Sequence, residues 1–358
     1  MPITAELKTE ILALVRQYQG GDSAGLAALV ESLLTAEPPH VAHAERFEHK
    51  LARLFGVREA LLVASGSAAN QLAVSSLTSA RMGKLRLKPK DEVITIAAGS
   101  ASLVKALTQN QLAPVFVDIT VPGFNVDVRK LQGALSRRTR AIALPHLFGN
   151  PFDLDSVTMF AAFHNLLLIE DCRAATGARF AGRPVGCFGQ FATASFHAGR
   201  HLAAGTGGAV LMNSPVHRGI AESLAERHRE AEMVAAVGSV QIELLAQRME
   251  TRSRNAHALL GGLAEWREYL MLPESLAAAT PSWLELPVVV REHVRVGRDA
   301  LVKALREAGL EARALPATGS LTETKKAGER GLLLTVPAVG GVDAAVDALH
   351  ASMRRLLG

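Results

Sequence analysis

Residues 166–171 read Leu-Leu-Leu-Ile-Glu-Asp. An apolar run this short, closed by carboxylates, reads as a strand buried on both faces with its end at a ligand crevice. Similar runs recur on both sides of it. Before it come Ala60–Ala64, Glu92–Ile96, Ala113–Asp118 and Ala141–Pro145, and after it Ala192–Phe196 and Gly208–Met212. Most are bounded by Gly, Pro or Asp, and helical stretches lie between several of them. Leu166–Glu170 takes its place as the fifth of seven. The pattern predicts an α/β fold with a parallel or mixed sheet and helices on both sides.

Outside this block the texture changes. Residues 4–33 read as helices, with Leu7, Ile11, Leu14 and Val15 on one face. The loop AEPPH at 36–40 separates them from a helix that ends near Gly56. Residues 221–269 are rich in Ala, Leu, Glu and Arg, contain no Pro, and read as mostly helical. A strand at Trp283–Val290 follows, then a helix at Arg298–Ala308 with Gly309 as its C-cap. A strand at Leu332–Val336 and a last helix from Val342 complete a small α+β unit. The domain boundary is expected near 240–260, giving units of 1–245 and 246–358.

The chain has 358 residues, of which 49% are hydrophobic and 20% charged, enough for a sizeable core. Lys plus Arg is 39 and Asp plus Glu is 34, a net charge of +5 spread along the chain. With 4% aromatics there is little to stack on bases, so no nucleic-acid partner is expected. Two cysteines, Cys172 and Cys187, are too few for a disulfide framework or a four-cysteine zinc site. The reduced cytosol fits best, so a cytoplasmic location is expected. No apolar run approaches the roughly 18–20 residues that span a bilayer, and the start of the chain has no signal-like apolar region.

Three stretches carry residues suited to chemistry. Ser65-Gly66-Ser67-Ala68-Ala69-Asn70 follows a predicted strand and opens a predicted helix. Free N–H groups at such a turn attract anions, phosphate above all, although the same residues serve ordinary turns. Asp171, at a strand end, can pair with a protonated ring nitrogen of a cofactor, or serve as a cap or a salt-bridge partner. Ser195-Phe196-His197-Ala198-Gly199-Arg200-His201 runs into Gly205-Thr206-Gly207-Gly208. There Ser195 can bind phosphate, Arg200 an anion, and His201 or His197 can move a proton. No metal site is expected, because these histidines have no carboxylate at ligand spacing.

In order, these stretches resemble the sugar aminotransferase and dehydrase family of pyridoxal-phosphate enzymes, the DegT/DnrJ/EryC1/StrS family of fold type I. Within it they look most like the CDP-4-keto-6-deoxyglucose 3-dehydrases. The stretches that carry the resemblance include SGSAANQLAVSSLTS at 65–79, RTRAIALPHLFGNPFDLD at 138–155, IEDC at 169–172 and SFHAGRHLAAGTGGAV at 195–210. The resemblance implies a mainly parallel seven-stranded sheet with a smaller C-terminal α+β domain, and dimers that share their sites. It implies that Gly66, Ser67 and Ser195 hold the cofactor phosphate and that Asp171 pairs with the pyridine nitrogen.

The sequence also departs from the family's pattern. The position of the aminotransferase lysine, a histidine in the 3-dehydrases, falls on Arg200. An arginine stays protonated and neither forms an imine nor acts as a base near neutral pH. His201 matches a second histidine of the dehydrases, one residue along. Ser100 stands where the family stacks an aromatic ring, Ala174 replaces a Gln or Asp, and Thr206 replaces a Glu. Twenty to thirty residues are missing between Asn213 and Met233, and the dehydrases' iron–sulfur cysteines are absent. Two readings lead, beside a third in which a new reaction in the old pocket uses Arg200 as an anion or carboxylate clamp. In one, the chain is a non-catalytic partner or regulatory subunit of nucleotide-deoxysugar metabolism with a degenerate pocket, a homodimer or a heteromer with an active homologue. In the other, it is a sugar 3-dehydrase or aminotransferase-like enzyme that holds pyridoxal or pyridoxamine phosphate (PLP or PMP) non-covalently and uses His201, Arg200 and His197.

Overall fold

Seven strands form the central sheet: β1 (Glu59–Val63), β2 (Glu92–Ile96), β3 (Ala113–Val117), β4 (Thr139–Pro145), β5 (Leu167–Asp171), β6 (Phe191–Ser195) and β7 (Gly208–Met212). Their spatial order is β1-β7-β6-β5-β4-β2-β3. All neighbours from β6 to β3 pair in parallel, while β7 runs antiparallel to both β6 and β1. This is the mainly parallel seven-stranded sheet expected from the sequence, with two strands at the expected bounds and the others displaced by one or two residues. The molecule is known here from a computed structural model, which describes residues 42–98, 101–225, 231–316 and 321–357. The helices read at 4–33, the loop at 36–40 and Ser100 lie outside the described residues.

The apolar runs form strands because both faces are covered. Along β4, Ile142 and Leu144 enter one core while Ala141 and Ala143 enter the other. Along β5, Leu168 goes one way, and Leu167 and Ile169 the other. A period of two inside a wholly apolar run is the mark of a sheet between two helical layers. One layer includes α1 (Ala42–Phe55), and the other is built on α2 (Gly66–Thr78), α3 (Ala101–Gln109) and α5 (Pro215–Leu224). On the first side, α4 (Leu154–Phe163) buries Leu154, Val157 and Ala161.

The helix α6 (Ala231–Ala264) is 34 residues long. Its Leu245 packs into the core beneath the sheet, and its Ala256, Leu259 and Leu263 into a separate C-terminal core. That second core backs an antiparallel sheet of β8 (Leu270–Met271), β9 (Glu285–Val290), β10 (Ala312–Ala314) and β11 (Gly331–Thr335), in the order β8-β9-β11-β10. Helices α7 (Arg298–Glu307), α8 (Thr322–Arg330) and α9 (Asp343–Leu357) accompany it. The strand expected from Trp283 starts two residues later. Ser282 and Leu284 donate their N–H groups to the Gly149 and Phe148 carbonyls, so this segment joins a crevice loop and not the sheet.

Close approaches fix two places. A Cβ on Gly238 of α6 would lie 2.2 Å from the Phe47 ring of α1, so any side chain there would have to displace that ring. A Cβ on Gly66 would lie 2.6 Å from Cβ of Ser195, which brings the start of α2 onto the end of β6. Among the described residues, no helix is long and apolar enough to cross a membrane.

Candidate active site

The carboxyl ends of β4, β5 and β6 place Pro145, Asp171 and Ser195 along one edge of the sheet. Ligands of open α/β sheets bind at this edge. Opposite it, Ser65 caps α2, its Oγ accepting from the Ala68 N–H at 3.1 Å. Gly66 then abuts Ser195, whose Oγ would lie 2.8 Å from a Cβ there. The sequence-predicted Gly66, Asp171 and Ser195 are therefore brought together. Ser67 is exposed on the first turn of α2.

Asp171 is buried and densely bonded. Its Oδ1 accepts from Nε of Arg173 at 2.8 Å and from the Arg173 backbone N–H at 3.1 Å. Its Oδ2 accepts from Nη2 of Arg173 at 2.8 Å and from Nδ2 of Asn70 at 3.4 Å. Asn70 is itself locked, since its Oδ1 accepts from the Thr193 hydroxyl at 2.7 Å. Burial pulls the Arg173 guanidinium down, and the Asp171 charge and hydrogen bonds more than offset this, holding it above the usual arginine value. Sequence reasoning missed Arg173. Its signal was a cation two residues beyond a strand-end carboxylate, close enough to fold back onto it.

Glu170 points the other way. Its four lone-pair positions accept from the Gly186, Phe188 and Gly189 N–H groups, each at 2.8 Å, and from Nε2 of His146 at 3.2 Å. Ligand-capable atoms of His146, Glu170 and Cys172 lie within 4.8 Å of one another. With the carboxylate saturated and the His146 ring stacked on Phe152, 4.2 Å between centroids, this cluster is a support for the 183–189 loop.

The three residues read as catalytic occupy three different settings. His197 is exposed in the turn after β6, its Nδ1 accepting from the Gly199 N–H at 3.3 Å. Arg200 lines a crevice of about 150 Å³ together with Asp171, Arg173, Glu285 and Arg313. His201 does not line it. It is 3% exposed, its Nδ1 accepts from Arg252 of α6, and its Nε2 lies 3.2 Å from the Ala174 carbonyl and 3.1 Å from Oγ of Ser282. Burial, then the Arg252 and Arg200 cations, push its pKa down to about 3. The proton-transfer role read for His201 thus meets a neutral, buried imidazole with both nitrogens in use. The neighbouring departures are also structural in setting. Ala174 supplies a carbonyl to His201, and Thr206 donates its hydroxyl to the Ala64 carbonyl at 3.1 Å.

Comparison with known proteins gives a consistent picture. The model of the DegT/DnrJ/EryC1/StrS aminotransferase family matches residues 26–322. The lipopolysaccharide biosynthesis protein RfbH of Salmonella typhimurium is 36% identical over 312 residues, 76% of this chain and 71% of the relative. The dTDP-4-dehydro-2,6-dideoxy-D-glucose 3-dehydratase of Saccharopolyspora spinosa is 34% identical over 329 residues, 80% of this chain and 71% of the relative. Among solved structures, the E. coli GDP-4-keto-6-deoxy-D-mannose-3-dehydratase with bound hydrated PLP superposes with a TM-score of 0.83 at 22% identity, covering 93% of this chain and 97% of the other. That likeness concerns the fold.

Proposed function

Since the chain belongs to the DegT/DnrJ/EryC1/StrS aminotransferase family, we propose that it acts on nucleotide-linked deoxysugars, on the pattern of its relatives named as 3-dehydratases. The observation that carries this reading is that Gly66 and Ser195 meet beside Arg173, which clasps Asp171 at the crevice, within a chain 34% identical to a 3-dehydratase over 80% of its length. In this reading any coenzyme is held without a covalent bond. Among the described residues no lysine lines the crevice, and Arg200 forms no imine.

The fit to a vitamin-B6 phosphate differs between its two ends. Gly66 against Ser195 leaves a hydroxyl and a side-chain-free turn, which suits a phosphate. The ring end does not fit the side chains as they stand, because Arg173 spans the carboxylate that would meet the ring nitrogen. That ion pair, with the buried His201, favours a second reading: a partner or regulatory subunit that keeps the crevice without the catalysis. Under either reading we place the chain in the cytosol, as a homodimer or paired with an active homologue.

A titration with pyridoxamine phosphate separates the two. The enzyme reading expects a saturable absorbance change between 300 and 450 nm (roughly; the chromophore is the coenzyme's) that Asp171→Ala abolishes, and turnover of a nucleotide-linked 4-keto-6-deoxysugar. No uptake, together with a stable complex with an active homologue, establishes the second reading.

A further inference from the structure

Three guanidinium groups line the crevice, and two of them are answered in kind. Arg173 is held by Asp171, and Arg313 makes two bonds of 2.9 Å to Glu285. Arg200 is the exception. Its backbone N–H donates to the His197 carbonyl at 2.8 Å, but among the described residues its side chain has no hydrogen-bond or ion-pair partner. The formal charge of these five side chains is therefore one positive unit, located on Arg200.

Such a placement is costly. A half-buried cation without a partner loses hydration and gains nothing in return. Burial, then the Arg173 cation, pull the Arg200 guanidinium below the usual arginine value, against the opposing pull of Asp171 and Glu285. A bound anion offsets this cost. The crevice restricts which anion. About 150 Å³ is under the roughly 300–1,000 Å³ of sites that enclose drug-sized ligands, so the crevice matches a small group or the end of a larger ligand. Leu147, Phe148, Leu315 and Leu333 supply apolar walls. One uncompensated positive charge matches a monoanion, and a planar fork matches a planar, two-oxygen partner.

We propose that this crevice is a binding site for a small carboxylate, anchored on the guanidinium of Arg200 and enclosed by the two ion pairs Asp171–Arg173 and Glu285–Arg313. The carboxylate comes either from a free short-chain acid or from the acid group of a larger metabolite whose remainder stays outside. The inference does not depend on the nucleotide-sugar reading, since its ligand and its anchoring residue are tested without sugar or coenzyme.

The test is calorimetric titration of the full chain with propionate and with L-glutamate, in chloride of matched ionic strength, with inorganic phosphate as the contrasting anion. Saturable binding of propionate is expected, weakened about tenfold or more by Arg200→Gln and several-fold by Arg200→Lys, which keeps the charge and loses the fork (roughly the span of a charge-assisted pair). Tighter binding of L-glutamate than of propionate assigns the carboxylate to a larger metabolite; the reverse assigns it to a free acid. Without ligand, Arg200→Gln is expected to melt at or above the wild-type temperature, because an unpaired cation has been removed. The proposal is overturned by no saturable carboxylate binding, by equal binding in the wild type and a folded Arg200→Lys, or by binding of phosphate in place of propionate. Loss of nucleotide-sugar turnover with carboxylate binding intact overturns only the preceding section.

Discussion

At the residue scale, the chemistry of this crevice is decided by which charges meet. Asp171 sits at the end of a buried strand, where an unanswered carboxylate would be strongly unfavourable. Arg173 answers it from two residues along the same chain, with a fork that matches both oxygens. His201 illustrates the opposite solution, a titratable group kept neutral. The unfolded chain binds a proton at this imidazole near pH 6.5, while the folded chain refuses it until about pH 3. Its contribution to stability is therefore complete above pH 6.5 and is lost as the pH falls through that window. In urea unfolding between pH 6 and pH 4.5, the wild type is expected to lose up to about 1.4 kcal/mol per pH unit more than His201→Asn. Equal slopes would mean that His201 already titrates in the folded state.

At the scale of elements, the five inner strands of the large sheet were readable because burial on both faces leaves uniform apolar runs, and Gly, Pro and Asp cut them off sharply; the half-buried edge strands β1 and β3 were legible from the same short apolar runs. What periodicity does not carry is pairing between distant backbone segments. Trp283 and Leu284 look like strand, yet the Leu284 N–H goes to Phe148, more than a hundred residues earlier. In the site, Asp171, Ser195 and Gly66 were legible as strand ends and a helix start. The partners of His201 were not, since Arg252 and Ser282 are 51 and 81 residues away. Helix contacts obey the same limit. Gly238 looks like a weak point inside α6 until Phe47 is seen against it. Gly238→Ala is expected to destabilise by about 1–3 kcal/mol through overpacking. Adding Phe47→Leu should recover part of that loss in thermal melts; the absence of recovery would point to a different cause.

At the scale of the whole molecule, the two cores are tied by more than α6. Asp118, just past β3, accepts from the Glu323 and Thr324 N–H groups at 3.0 Å each and from the Thr324 hydroxyl at 2.9 Å. A carboxylate from the sheet unit thus caps α8, about 200 residues later in the chain (by the same logic as a local N-cap). Burial raises the Asp118 pKa, and these donors outweigh it, leaving it below the usual carboxylate value. Asp118→Ala is expected to lower stability by about 2 kcal/mol, because three donors of α8 and the Ile119 N–H lose their acceptor. Asp118→Asn should recover a part of it in the same urea series. An unchanged midpoint in Asp118→Ala would show that the cap does not couple the two units.

The Asp171–Arg173 clasp has a consequence for folding. The counter-ion of this interior acid is carried by the same polypeptide, two positions further on, so closing the end of β5 against solvent does not wait on a visiting molecule.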